Sequence, residues 1–140
     1  MIKHYFKQNF RKSCSAQSVA IIYNYIHGTK IDDKYLLKRF PRWKYLIENK
    51  VGIENLAIFI KIIFKPKKVF IRYSPISKKK FIYYIKNYYV IIYYNKHYTP
   101  ILYYDNNYIY IGKNKTHQIV KIHSNNFNNF LKSVNSILFF

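Results

Sequence analysis

Apolar residues recur along the first part of the chain at a helical spacing. Ala16, Val19, Ala20, Tyr23 and Ile26 share one side of a 3.6-residue repeat. The repeat predicts a helix over residues 14–26, with Ser13 as its N-cap and His27-Gly28 as its stop. A shorter helix follows, opened by Asp32 or Asp33, carried by Tyr35, Leu36, Leu37 and Phe40, and halted at Pro41. A third begins at Gly52 or Ile53, runs to Phe64 and gives way to Pro66.

Beyond Pro66 the repeat shortens to two. Residues 69–73 read as a strand of branched and aromatic side chains, and residues 77–87 as a short amphipathic helix. Residues 88–94, a turn at Asn95-Lys96 and residues 97–104 form a hairpin. Asp105-Asn106-Asn107 turns the chain into a strand at 108–111, and another is expected at 119–122. Ser124 is the expected cap of a last helix, 125–134, after which residues 137–140 close the sheet. Pro100 inside a strand implies an edge or a bulge there. The fold class is α+β, with N-terminal helices packed on a C-terminal antiparallel sheet. No repeat or linker divides the 140 residues, so a single domain, 1–140, is expected.

Composition narrows the chemistry. The three glycines, Gly28, Gly52 and Gly112, never cluster, so there is no phosphate loop. One cysteine excludes an internal disulfide framework and gives no sign of an oxidising compartment. No window reaches the roughly 18 apolar residues of a membrane span, and residues 1–7 lack the apolar stretch of a secretion signal. A soluble cytoplasmic protein is expected.

Charge is the loudest bulk feature: 25 basic residues against 5 acidic, formally +20. Such an excess is the footprint of nucleic-acid or anionic-surface binding. Yet the basic residues are 21 Lys and 4 Arg, whereas phosphate and base recognition favours the bidentate arginine fork. They are also scattered, with runs only at 65–68 and 78–80. The joint abundance of Lys, Ile, Asn, Tyr and Phe follows codons rich in A and T. That bias does not explain the scarcity of acids, so an acidic protein partner stays among the expected ones. A nucleic-acid-binding protein would need a clustered basic face with stacking aromatics. Here the aromatics follow strand periodicity instead.

Few residues are left to do chemistry. The five carboxylates are too scattered for paired-acid catalysis, and Asp32-Asp33 reads as a helix cap. A zinc site needs four closely placed ligands, which one cysteine and five dispersed histidines do not supply; His117 and His123 are a weak metal pair. No cofactor or metal is expected. What remains is a thiol and an imidazole. Cys14 opens a helix, at the positive end of its dipole and beside Arg11 and Lys12, a setting that favours thiolate. The plainer alternative is a small buried apolar residue. For the base, His4 lies near the terminus and His27 a helix length away from Cys14. His97 opens a strand just after a tight turn and is the base by elimination.

At this point a family pattern emerges. Gln8, five intervening residues and Cys14, then a helix ending in Asn24-Tyr25-Ile26-His27-Gly28, resemble the start of papain-like peptidases that cleave bacteriocin leaders after a double glycine, and of their broader relatives. Residues 30–37 are similar to the family's second helix, and 52–57 to the opening of its third. The strand 89–94 followed by His97-Tyr98-Thr99-Pro100-Ile101-Leu102 resembles its catalytic-histidine hairpin. Residues 108–111 and 126–131 are similar to its closing strand and C-terminal helix. The resemblance implies a papain-like cysteine peptidase fold and a polypeptide substrate, with leader-peptide processing as one activity. It implies Cys14 as nucleophile, His97 as general base and acid, and Gln8 with the Cys14 backbone N–H as the oxyanion hole.

Three features depart from that pattern. Ser15 stands where the family has glycine or another small residue. The orienting residue, counted from His97, falls at Lys113, which cannot accept an imidazole N–H; a one-residue shift brings in Asn114, which can. Pro100 interrupts the histidine strand. The chain also lacks the transporter segments that accompany many leader peptidases. The rival reading is a catalytically inactive papain-like domain that binds peptides or serves an assembly. A basic nucleic-acid-binding protein is the third.

Overall fold

Helices come first and strands later, as the change of period predicts. The computed structural model describes residues 2–48, 51–112, 116 and 118–140. The helices α1 (Cys14–His27), α2 (Asp33–Arg39), α3 (Pro41–Glu48) and α4 (Ile53–Phe64) precede β1 (Phe70–Tyr73) and α5 (Lys78–Asn87). Then come β2 (Val90–Tyr94), β3 (His97–Tyr104), β4 (Tyr108–Gly112) and β5 (Ile119–His123). A 3-10 turn (Ser124–Asn126), α6 (Phe127–Lys132) and β6 (Val134–Phe139) complete the chain. The six strands form one sheet in the order β1-β6-β2-β3-β4-β5, every pairing antiparallel.

The strand alternation divides the core in two. Ile91, Tyr98, Leu102 and Leu138 pack with the buried side chains of α1 to α4. Val90, Ile92, Ile137 and Phe139 pack with Phe81 of α5 and with Phe127 and Phe130 of α6. Neighbouring residues of one strand thus serve opposite faces, as a pleated sheet covered on both sides requires. β6 does not close the sheet at an edge; it lies between β1 and β2. Its run Ile137-Leu138-Phe139, buried throughout, is what a strand covered on both faces needs.

α1 is more enclosed than a single apolar stripe implies. Every residue from Cys14 to Ile22 is buried, including Ser15, Gln17 and Ser18, while Ile26 is 39% exposed. Among these buried polar groups the Ser18 hydroxyl donates to Cys14 O at 2.8 Å and the Gln17 amide N–H to Phe6 O at 2.6 Å, while Gln17 Oε1 has no hydrogen-bond partner. The helix ends at Gly28, whose φ of +66° is the left-handed cap that glycine supplies readily. α1 packs along β3, the relationship on which the site depends.

Pro41 does not simply stop a helix. It is the first residue of α3, where a missing N–H is no loss and a fixed φ suits the helical turn. The sequence pattern predicts no helix here, yet α3 forms and carries Trp43. The indole is fully buried and stacks on Phe59 of α4, with ring centroids 4.4 Å apart and planes 6° from parallel. Pro100 sits in an interior strand, so of the two expected settings the bulge holds. The β3–β4 register shifts between Ile101 and Tyr103. Beside it the Thr99 hydroxyl donates to Gly112 O at 3.1 Å, and the Ile2 N–H donates to Leu102 O at 2.9 Å. The last helix is shorter than expected, because Val134 already belongs to β6 and Ser124 opens a 3-10 turn instead. Its asparagines favour turns over helix interiors.

Candidate functional site

Cys14 is the first residue of α1 and His97 the first of β3. The two are 83 positions apart in sequence, yet they line one cavity of about 400 Å³. Turn chemistry delivers the histidine: Asn95 and Lys96 take φ of 49° and 63°, the paired left-handed conformation of a two-residue hairpin turn. Packing of α1 along β3 then brings the helix N-terminus to the strand start. Ile47, Val51, Tyr93 and Tyr98 make the lining apolar, and Arg11, Lys12 and Lys96 make it basic.

Tyr98 joins the two elements. Its backbone N–H donates to Cys14 Sγ at 3.4 Å, and its phenol donates to Val51 O at 2.8 Å. Burial pushes the phenol pKa up, with Tyr93 and then Cys14 adding to the rise, so the hydroxyl remains a donor at neutral pH. Around the sulfur, three features favour negative charge: the start of a 14-residue helix, a backbone N–H, and the three basic side chains in the lining.

The loop before Cys14 is held by a residue whose role the sequence did not reveal. Asp33 is fully buried. It accepts from the Asn9 N–H at 2.7 Å, from the Asn9 side-chain amide and from the Ser13 hydroxyl. Ser13 therefore occupies the N-cap position of α1 without capping it, since its hydroxyl is turned to Asp33. Asp32 alone caps α2, accepting from the Tyr35 N–H at 2.9 Å. The sequence signal for Asp33 was present: in an adjacent acidic pair, one carboxylate is more than a cap needs. On the other side of the thiol, Trp43 donates its indole N–H to Ser15 Oγ at 3.0 Å. The unexpected serine after the cysteine thus has a specific partner.

Gln8, the expected oxyanion donor, has its amide engaged by the loop before the cysteine. It is buried and does not line the cavity; its amide group donates to Phe10 O at 2.7 Å and Arg11 O at 2.9 Å. Its Oε1 has no hydrogen-bond partner. Both donors thus hold the loop ahead of the cysteine. Asn114, the expected orienter, lies outside the described residues, as do Lys113 and His117. Among the described residues no group of three or more His, Cys, Asp and Glu is placed to hold a metal ion. No helix among them is long and apolar enough to cross a membrane. The fold is mixed α+β, with its helices leading and a six-stranded antiparallel sheet following. No protein-family model, curated protein or solved structure matches the chain.

Proposed function

We propose that the protein is a cysteine peptidase of papain-like type, with Cys14 as nucleophile and His97 as its proton carrier. The observation that carries this reading is the shared cavity: the only thiol and a strand-opening imidazole line the same walls. His97 takes the thiol proton, and the thiolate adds to a peptide carbonyl carbon. As the C–N bond breaks, His97 returns that proton to the leaving amine, and a water molecule then hydrolyses the thioester. The developing oxyanion is stabilised by the N-terminus of α1, where no side chain caps the helix. Gln8 contributes to that hole only by releasing one of its two loop carbonyls. Asn114 is the proposed orienter of His97.

One observation favours the rival reading, a peptide-binding domain without turnover. Both Gln8 donors are already engaged, which leaves the oxyanion hole short of its side-chain member. A peptidyl electrophile separates the two. The peptidase reading expects labelling of Cys14 in the wild type, loss of labelling in His97→Ala, and release of a new amino terminus from a peptide library. Equal labelling of wild type and His97→Ala, with no cleavage, leaves the binding domain as the account.

A further inference from the structure

The Cys14 cavity has a neighbour. A second cavity of about 300 Å³ shares Arg11, Lys12 and Ile47 with it and adds Phe10, Leu37 and Lys44. Among the side chains described, which do not include that of Glu48, the charged groups lining the pair are Arg11, Lys12, Lys44 and Lys96. Leu37 and Ile47 line the second cavity, and Ile47 and Val51 line the first together with Tyr93 and Tyr98. From this juxtaposition we infer that the paired cavities bind an extended acidic peptide, one that places carboxylate side chains beside the thiol and a bulky aliphatic side chain in the second cavity. The inference rests on the peptide-handling reading of this site and names the class of peptide it takes.

The charge argument is local rather than global. Lysines are spread over the whole chain, so a net charge of +20 attracts any polyanion from a distance. What selects is the joint presence of basic and aliphatic groups in two hollows that share Arg11, Lys12 and Ile47. Carboxylates gain Coulomb energy there, and an aliphatic side chain gains burial. Nucleic acid is the poorer fit. Single strands stack their bases on open aromatic faces; in the first cavity Tyr98 is buried with its ring packed against Tyr93, centroids 4.8 Å apart, and the second cavity offers Phe10.

The test uses Cys14→Ala protein, which binds without turnover, and three labelled peptides of equal length. One carries Glu-Glu beside Leu, one Gln-Gln beside Leu and one Lys-Lys beside Leu. Fluorescence anisotropy should rank the Glu peptide first by about tenfold over the Gln peptide, the size of one or two well-placed charge contacts. Arg11→Glu and Lys96→Asn, each in the Cys14→Ala background, should remove most of that margin. Lys79→Glu, an exposed change on α5 away from both cavities, should leave it. Equal binding of the three peptides overturns the inference, and so does an equal loss from Lys79→Glu and Lys96→Asn. Displacement of the Glu peptide by a uridine oligonucleotide of equal charge at lower concentration also overturns it. Labelling of wild-type Cys14 is scored separately. His97-dependent labelling without the acidic preference keeps the peptidase and removes this inference; the preference without labelling keeps the inference and leaves a binding domain.

Discussion

The backbone N–H of Tyr98 points at Cys14 Sγ, 3.4 Å away, across 84 residues of chain. This contact ties the first turn of α1 to the second residue of β3, and it places the neighbouring His97 in the wall of the same cavity. The phenol of the same residue donates to Val51 O, so one residue ties the thiol, through its backbone, and the loop, through its side chain.

Tyr98 should therefore govern alkaline stability. Its folded pKa is raised above the ordinary tyrosine value, chiefly by burial. The folded state keeps a proton that the unfolded state loses. That contribution is complete below about pH 10 and falls away as pH climbs beyond it. Tyr98→Phe should flatten the decline of Tm with pH above about 10 relative to wild type. At neutral pH it should be about 1–3 kcal/mol less stable, because Val51 O loses its donor. Parallel alkaline slopes for the two proteins would show that Tyr98 does not titrate as described.

The two adjacent aspartates should behave unlike each other. Asp32→Ala removes one helix cap and should cost about 1 kcal/mol. Asp33→Ala leaves the Asn9 N–H without its acceptor and takes one acceptor each from the Asn9 amide and the Ser13 hydroxyl, which keep Asp32 and Phe10 O, and should cost about 3 kcal/mol. The second should slow alkylation of Cys14 far more than the first, because Asp33 holds the loop leading to the thiol through three bonds and Asp32 through one long contact from the Asn9 amide. Urea unfolding and iodoacetamide kinetics on both variants check this. Equal effects from the two positions would remove the assigned role of Asp33.

Gln8→Ala distinguishes a loop brace from an oxyanion donor. As a brace, Gln8 holds two carbonyls, and its loss should lower Tm by roughly 3–8 °C. The alkylation rate of Cys14 should fall with it. A donor acting only in the transition state gives the opposite pattern: unchanged Tm and alkylation, with reduced turnover of a cleavable peptide.

Trp43→Phe keeps the ring stacked on Phe59 but removes the indole N–H from Ser15 Oγ. A loss of about 1–2 kcal/mol is expected from the broken buried hydrogen bond and the smaller ring. Ser15→Ala should lose a similar amount, and the double variant should lose little more than either single one. Additive losses in that cycle would mean the two side chains are not coupled.

Much of this arrangement is legible in the chain, and what is not has local causes. Periodicity located α1, α4, the hairpin and most strands, because apolar spacing is set by the element itself. The α3 helix escaped because Pro41 has two meanings, helix end and helix start, and only tertiary burial of Trp43 decides between them. The interior place of β6 escaped for a similar reason. A short apolar run states how buried a strand is, and says nothing of which strands flank it. Residue type and position single out Cys14 and His97, each the first residue of its element, and both line one cavity. The bracing roles of Asp33, Ser13 and Gln8 depend on which backbone groups the folded loop offers, and no spacing rule encodes that.

The central claim is that Cys14 and His97 act as a pair. The most direct measurement is the rate of Cys14 alkylation by iodoacetamide from pH 4 to 10, in wild type and His97→Ala. A thiolate held by the imidazolium, the Tyr98 N–H and the start of α1 should titrate well below the free cysteine value of about 8.5. In His97→Ala that titration should move upward by more than one pH unit, on the order of a close charge pair. Superimposable profiles for the two proteins, both with midpoints near the free value, would contradict the pair and the peptidase with it.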